Sequence, residues 1–219
     1  MGNQNKSQYK SVFKATALFG GVQVWQILIG IVRSKLVAMI LGPAGMGISG
    51  LYTSSTELVK SCTNLGLSSS GVKYIAEANA SGDRERFSRV ATLFQKLMLI
   101  TGIMGLLGVV LFSPYLSKSA FGDISRTIPF IILSVTLLMQ QLACGKLALL
   151  QGTRQLSLLA KSSIIGSVLS LVTTIPLYYI WGIGGIIPAL VLGNTTSLFL
   201  NWWYARKVEV QRVKLSFSE

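Results

Sequence analysis

The chain has no histidine, seven acidic residues, two cysteines and five prolines among its 219 residues. Without histidine, Ser-His-Asp and Cys-His catalysis and the HExxH metal site are all excluded. Cys62 and Cys144 lie inside apolar segments with no CxxC spacing, so they read as small packing residues rather than as disulfide or zinc partners. The carboxylates do not cluster. Asp83 and Glu85 form an isolated Asp-x-Glu in a polar stretch where Arg84 and Arg86 already offer partners. That stretch reads as a solvated loop, and no acidic centre of the kind a membrane glycosyltransferase needs is present. No enzymatic activity is expected.

Charge as a whole is scarce, at 12% of residues, about half the usual share of a globular protein. What fills the chain instead is apolar: 51% hydrophobic residues and a mean hydropathy of +0.58. This combination reads as a polytopic membrane protein. The net charge of +13 sits in short connections between apolar runs, with no platform of aromatics and arginines, so nucleic acid is not expected as a partner. Lys6, Lys10 and Lys14 precede the first run as in a signal peptide. That run is long and lacks a small-x-small cleavage site, so an uncleaved first helix is expected.

Six apolar runs, at about 13–41, 45–67, 93–116, 128–150, 156–181 and 185–204, each reach the roughly 20 residues that a helix needs to cross a bilayer. They predict an all-α bundle of six transmembrane helices over residues 1–205, followed by a basic tail at 206–219. Trp202, Trp203 and Tyr204 form an aromatic belt at the end of the sixth run. Lys73, Arg84, Arg86, Arg89, Arg154, Lys161 and Arg206 fall on one side of the membrane, against Lys118 and Arg126 on the other. The positive-inside rule then places both termini in the cytoplasm.

The runs carry polar stripes. Gln23, Gln26, Gly30 and Arg33 share a face of the first, and Ser49, Thr53, Glu57, Lys60 and Asn64 share a face of the second. Ser163, Ser167, Ser170 and Thr174 mark the fifth, and Asn194, Ser197 and Asn201 the sixth. A single Ser/Thr stripe is explained by helix packing. Ionisable groups inside the runs need more, because each costs on the order of 2.5–3.5 kcal/mol at bilayer depth. A hydrated cavity lined by all the stripes accounts for them together. Arg33 is assigned to its wall. Lys35 lies about 200° around the helix from Arg33, and two readings stay open for it: a cavity cation, or a stem that snorkels to the interface. Lys60 adds positive charge, and Glu57 three residues away either neutralises it or binds a coupling ion. No cofactor is expected; a proton or sodium gradient remains open as the energy source.

Gly45-Met46-Gly47-Ile48-Ser49-Gly50 fits GxGxxG by letter but follows an apolar run and a Gly-Pro turn, so close helix packing is the better reading. Gly102, Gly105 and Gly108 are read as packing positions in the third helix. No P-loop is present.

Several further strings, in order along the chain, carry a family resemblance. They are Lys35-Leu36-Val37-Ala38, Leu41-Gly42-Pro43-Ala44-Gly45-Met46-Gly47, Leu65-Gly66-Leu67 and Gly71-Val72-Lys73-Tyr74-Ile75-Ala76-Glu77. Phe121-Gly122, Ala148-Leu149-Leu150-Gln151-Gly152-Thr153-Arg154 and Gly182-x-Gly184-Gly185 follow. The chain resembles the Wzx-type O-antigen and enterobacterial common antigen translocases, lipid-linked oligosaccharide flippases of the MATE-like exporter superfamily. The resemblance implies one six-helix lobe of a two-lobe transporter in the bacterial inner membrane. It implies an undecaprenyl-diphosphate-linked repeat unit as substrate and a second lobe in cis, in trans or as a second copy. Membrane lipid and a polysaccharide polymerase are the other partners it suggests. A MATE-like drug or cation exporter and a non-transporting assembly scaffold are the alternatives.

Overall fold

Gly42 sets the geometry of the first half of the chain. The computed structural model describes the backbone from residue 2 and whole residues over 20–64 and 66–208. Helix α1 runs Gly2–Asn64 and is broken at one residue, Gly42, with φ 67 and ψ −175. That conformation is essentially restricted to glycine. Pro43 follows and cannot donate a helical hydrogen bond, which helps hold the break there. The break folds the chain back: Gln26 and Thr53 line the same hollow, whereas on a straight helix they would stand about 40 Å apart. The bend presses Gly45 against the Leu41 side chain, where a Cβ would overlap it.

The remaining elements are α2 (Leu67–Ala80), α3 (Arg84–Phe121), α4 (Thr127–Gly152), α5 (Leu156–Trp181), a 3-10 turn (Gly182–Gly185) and α6 (Ile186–Ala205). The described residues are therefore all-α. Four stretches are long and apolar enough to cross a membrane: Gly20–Asn64, Arg84–Phe121, Thr127–Gly152 and Leu156–Ala205, at 45, 38, 26 and 50 residues. The expected breaks inside the first and last stretches are a one-residue kink and a short 3-10 turn.

The polar stretch after residue 67 departs from the loop expected there. Gly71, Ile75 and Ala78 are buried along one face of α2, while Lys73 and Glu77 pair at 3.9 Å on the outside. The period of three to four is that of an amphipathic helix, too short to span. Asp83 then caps α3, its carboxylate accepting from the backbone N–H groups of Glu85 (2.9 Å) and Arg86 (3.1 Å). Helix α3 therefore starts at Arg84 rather than near 93, and ends at Gly122, whose φ of 82 suits a left-handed cap.

Helix α4 is the central element. Small residues let α3 approach it: a Cβ on Gly102 would meet Leu138 Cδ1 at 2.8 Å, and one on Gly105 would overlap Leu137. Gly108, also read as a packing position, has nothing within 4 Å. Between the same helices Gln141, 2% exposed, donates to Thr101 Oγ1 of α3 (3.0 Å) and to Asn64 Oδ1 of α1 (3.4 Å). One apolar cluster, with Tyr52, Phe130, Leu137, Tyr178 and Ile186, closes the Gly42 end. A second, with Ile75, Phe94, Met98, Leu149 and Leu159, fixes α2 against α3, α4 and α5. Most of the expected basic tail, residues 209–219, lies outside the described residues.

Candidate functional site

The polar stripes converge on a hollow of about 570 Å³ between the two arms of α1, α4, α5 and α6. From the arms come Gln26, Gly30, Arg33, Ser34, Ser49 and Thr53; from α5, Ser162, Ser163, Ser167 and Ser170; from α6, Asn194, Ser197 and Asn201; from α4, Gln140. The α1 arms, α5 and α6 contribute residues spaced by three or four, and α4 contributes Gln140 and Leu147, seven apart, as expected when one face of each looks inward. The wall carries, among the described residues, a single ionisable cation, Arg33, and no carboxylate. Among the described residues the half-buried Arg33 guanidinium has no hydrogen-bond or ion-pair partner.

The hydroxyls are partly spoken for. Ser34 donates to Ile31 O (3.0 Å), Thr53 to Ser49 O (2.8 Å) and Ser167 to Ile164 O (2.9 Å). Asn194 Nδ2 donates to Leu190 O (2.8 Å), and Ser162 donates to Asn201 Oδ1. With these donors spent, the oxygens keep lone pairs for hydrogen bonds from outside. The wall thus offers neutral donors and acceptors around one concentrated group of charged donors, the guanidinium.

A second hollow of about 310 Å³ shares Gln140, Leu147, Asn194, Ser197 and Asn201 with the first. It contains Glu57 and Lys60, whose ammonium lies 3.1 and 3.3 Å from the two carboxylate oxygens. Of the residues singled out in the sequence, Gln26, Arg33, Thr53, Ser163, Ser167, Ser170, Asn194 and Ser197 line the main hollow, and Glu57 and Lys60 line its neighbour. Four do not join them, one being Thr174 of the α5 stripe, which is buried and donates back to Ser170 O (2.8 Å). Gln23 and Lys35 are exposed and line neither hollow. Asn64 is turned toward α2 and α4, accepting from Ser68 Oγ (3.0 Å) and Gln141 Nε2, so it ties helices together instead of lining the cavity. Its position one turn beyond Lys60 continues the stripe, but by Asn64 the neighbours on that face are protein.

Ser34, Ser162 and Gln140 line the wall without having been singled out. The adjacent Gln140 and Gln141 midway along a very apolar helix were a legible signal. About 100° apart on the helix, one faces the cavity and the other the helix contacts. Cys62 and Cys144 are free, and among the described residues no group of side chains is arranged to hold a metal. The glycines of the GxGxxG string lie within α1, which gives them none of the strand context a dinucleotide site needs.

Four helical stretches long and apolar enough to cross a membrane, three of which wall a hydroxyl-lined hollow that holds Arg33, define a multi-pass membrane protein. The chain matches the polysaccharide biosynthesis protein family over residues 12–217, and it belongs to that family. It is 26% identical over 200 aligned residues to the stage V sporulation protein B of Bacillus subtilis (strain 168), a match covering 84% of this chain. The chain spans 38% of that relative's length. No solved structure matches it.

Proposed function

We propose that this chain forms a six-span, cavity-bearing lobe of a transporter that moves a lipid-linked oligosaccharide, joined to its polyprenyl anchor through a diphosphate, across the bacterial inner membrane. The direction is from the cytoplasmic to the periplasmic leaflet. The observation that carries the proposal is Arg33: a guanidinium at membrane depth that has no partner, and no carboxylate beside it in the wall, among the described residues. Its planar fork of donors suits phosphate oxygens and stays charged when partly desolvated. The surrounding acceptors suit sugar hydroxyls, which can donate to several of them without strict geometry. The polyprenyl chain stays among the lipids while the polar head crosses in the hollow.

Charge separates this reading from the alternatives. A cation exporter needs an excess of carboxylates at depth, whereas among the described residues Glu57 is the one acid bordering either hollow, against Arg33 and Lys60. A packing scaffold would bury its polar stripes against neighbours, whereas these border about 570 Å³ of open space. An O-antigen repeat unit is the cargo the sequence resemblance favours. Movement between leaflets by rocking of two bundles involves a partner lobe, with both termini of this lobe in the cytoplasm.

The test is binding of a polyprenyl-diphosphate oligosaccharide to the purified protein in nanodiscs. Removing charge-assisted hydrogen bonds worth about 1.5–3 kcal/mol should weaken binding of Arg33→Ala by roughly 10- to 150-fold. Lys35→Ala should bind as the parent does. Equal affinity for Arg33→Ala and the parent would remove the central support for the proposal.

A further inference from the structure

The Glu57–Lys60 pair needs a reason of its own. It sits in the hollow that shares five wall residues with the Arg33 hollow, so a polar group can pass from one to the other along a common wall. Counted from the Gly42 kink, Arg33 lies nine residues back and Lys60 eighteen forward. With the arms folded alongside each other, the two cations are therefore separated by about 13 Å of helix rise. The pair is not sealed: the Lys60 side chain is 24% exposed and that of Glu57 53%. A helix-surface pair at this exposure is worth little, and a stronger anion can displace the carboxylate.

We propose that Lys60 is a second anion station on the transport path, kept occupied by Glu57 until a diphosphate or a proton displaces that carboxylate. The inference rests on the reading of Arg33 as a diphosphate site. A diphosphate arriving at the second hollow competes with the Glu57 carboxylate for the Lys60 ammonium. Protonation of Glu57 removes the competitor, so proton binding at Glu57 and anion binding at Lys60 favour one another. As the anion advances to Arg33, Glu57 retakes Lys60 and the station resets. No bond is made or broken beyond the transfer of one proton between Glu57 and solvent.

The surroundings suit this exchange. Helix α4 presents Gln140 and the Cys144 thiol to the pair's hollow, and α6 presents only amides and a hydroxyl. Helix α3 contributes nothing to either wall, and the only titratable group from α5 is Tyr178 in the Arg33 hollow. Among the described residues of these walls no other carboxylate competes for the ammonium and no other cation holds Glu57.

The experiment measures binding of farnesyl diphosphate to the full chain in nanodiscs between pH 5 and 8. It uses the parent, Glu57→Gln, Lys60→Gln and the double variant; thermal melting confirms that each is folded. All variants see the same titration of the ligand, so differences between them report the protein. Glu57→Gln should bind about 3- to 10-fold tighter than the parent at neutral pH. Lys60→Gln in the Glu57→Gln background should erase that gain. The station is overturned if Glu57→Gln matches the parent at every pH, or if its gain survives loss of Lys60. Arg33→Gln separates the two claims. Unchanged affinity there refutes the Arg33 site whatever Glu57 does. Weakened affinity there, with Glu57→Gln silent, refutes only the station.

Discussion

Gly71 is where the amphipathic helix α2 touches the bundle, and replacing it with alanine measures how tightly that helix is seated. A Cβ at Gly71 would fall 2.6 Å from Phe94 Cδ2 and closer still to Cε2 and Cζ. Phe94 is 6% exposed and packed with Ile75, Ala91 and Met98, so the ring has no free space to enter. Forcing a methyl into such a contact costs about 1–3 kcal/mol, and a clash with three ring atoms belongs to the upper part of that range. Alanine recovers about 1 kcal/mol through its better helix propensity. The net expectation is a loss of roughly 1–2 kcal/mol. Ser70→Ala, on the exposed side of the same helix, should shift stability by no more than about 0.5 kcal/mol. The measurement is denaturant unfolding in detergent micelles, followed by circular dichroism. Phe94→Leu removes the ring atoms that clash, so Gly71→Ala combined with Phe94→Leu should be more stable than the two single losses added together. If Gly71→Ala is as stable as Ser70→Ala, α2 is not held by close approach at this point. The account of its docking would then be wrong.

Other consequences follow from single positions. Gly42→Ala places a side chain at φ 67, ψ −175; the strain, about 1–3 kcal/mol, should lower the melting temperature and weaken diphosphate binding together, because both arms of the hollow depend on this bend. Gln141→Leu removes the bonds to Thr101 and Asn64 and should cost about 1–3 kcal/mol in the same denaturant assay, through two lost interhelical hydrogen bonds worth about 0.5–1.5 kcal/mol each. In the turn between α3 and α4, the Asp123 carboxyl titrates below the usual carboxylate range, first because the Ser125 hydroxyl donates to it, then through the Ser125 backbone N–H and the charge of Arg126. A carboxylate shifted this way contributes to stability above its unfolded pKa and loses that contribution as pH falls through the lowered folded value. Ser125→Ala should move the Asp123 titration upward, as read by carboxyl NMR, and leave melting at neutral pH nearly unchanged because the group is fully exposed.

Much of this could be read from residue order. The hydropathy of the chain and the lengths of its runs gave helices crossing a membrane, since backbone groups in lipid must be satisfied within the segment. The period of three and four in the polar stripes put Arg33, Thr53, Ser163, Ser167 and Asn194 on inward faces, and these do line one hollow. Helix α2 was harder to see. Its buried face is Gly71, Ile75 and Ala78, and two of those three residues are too small to register as an apolar stripe.

The sequence alone determined the class: an all-helical membrane protein with scarce carboxylates and no histidine, four of whose six apolar runs carry a polar face. Composition and period are properties of the chain, so they need no neighbours to be legible. The tertiary structure decided which polar residues share space. The fold at Gly42 brought Gln26 and Thr53 to one wall, the contact with α4 turned Asn64 from cavity to clasp, and the second hollow received Glu57 and Lys60 as a pair apart from Arg33. Period fixes the direction of a side chain around its own helix, while what it faces is set by the helix that packs opposite.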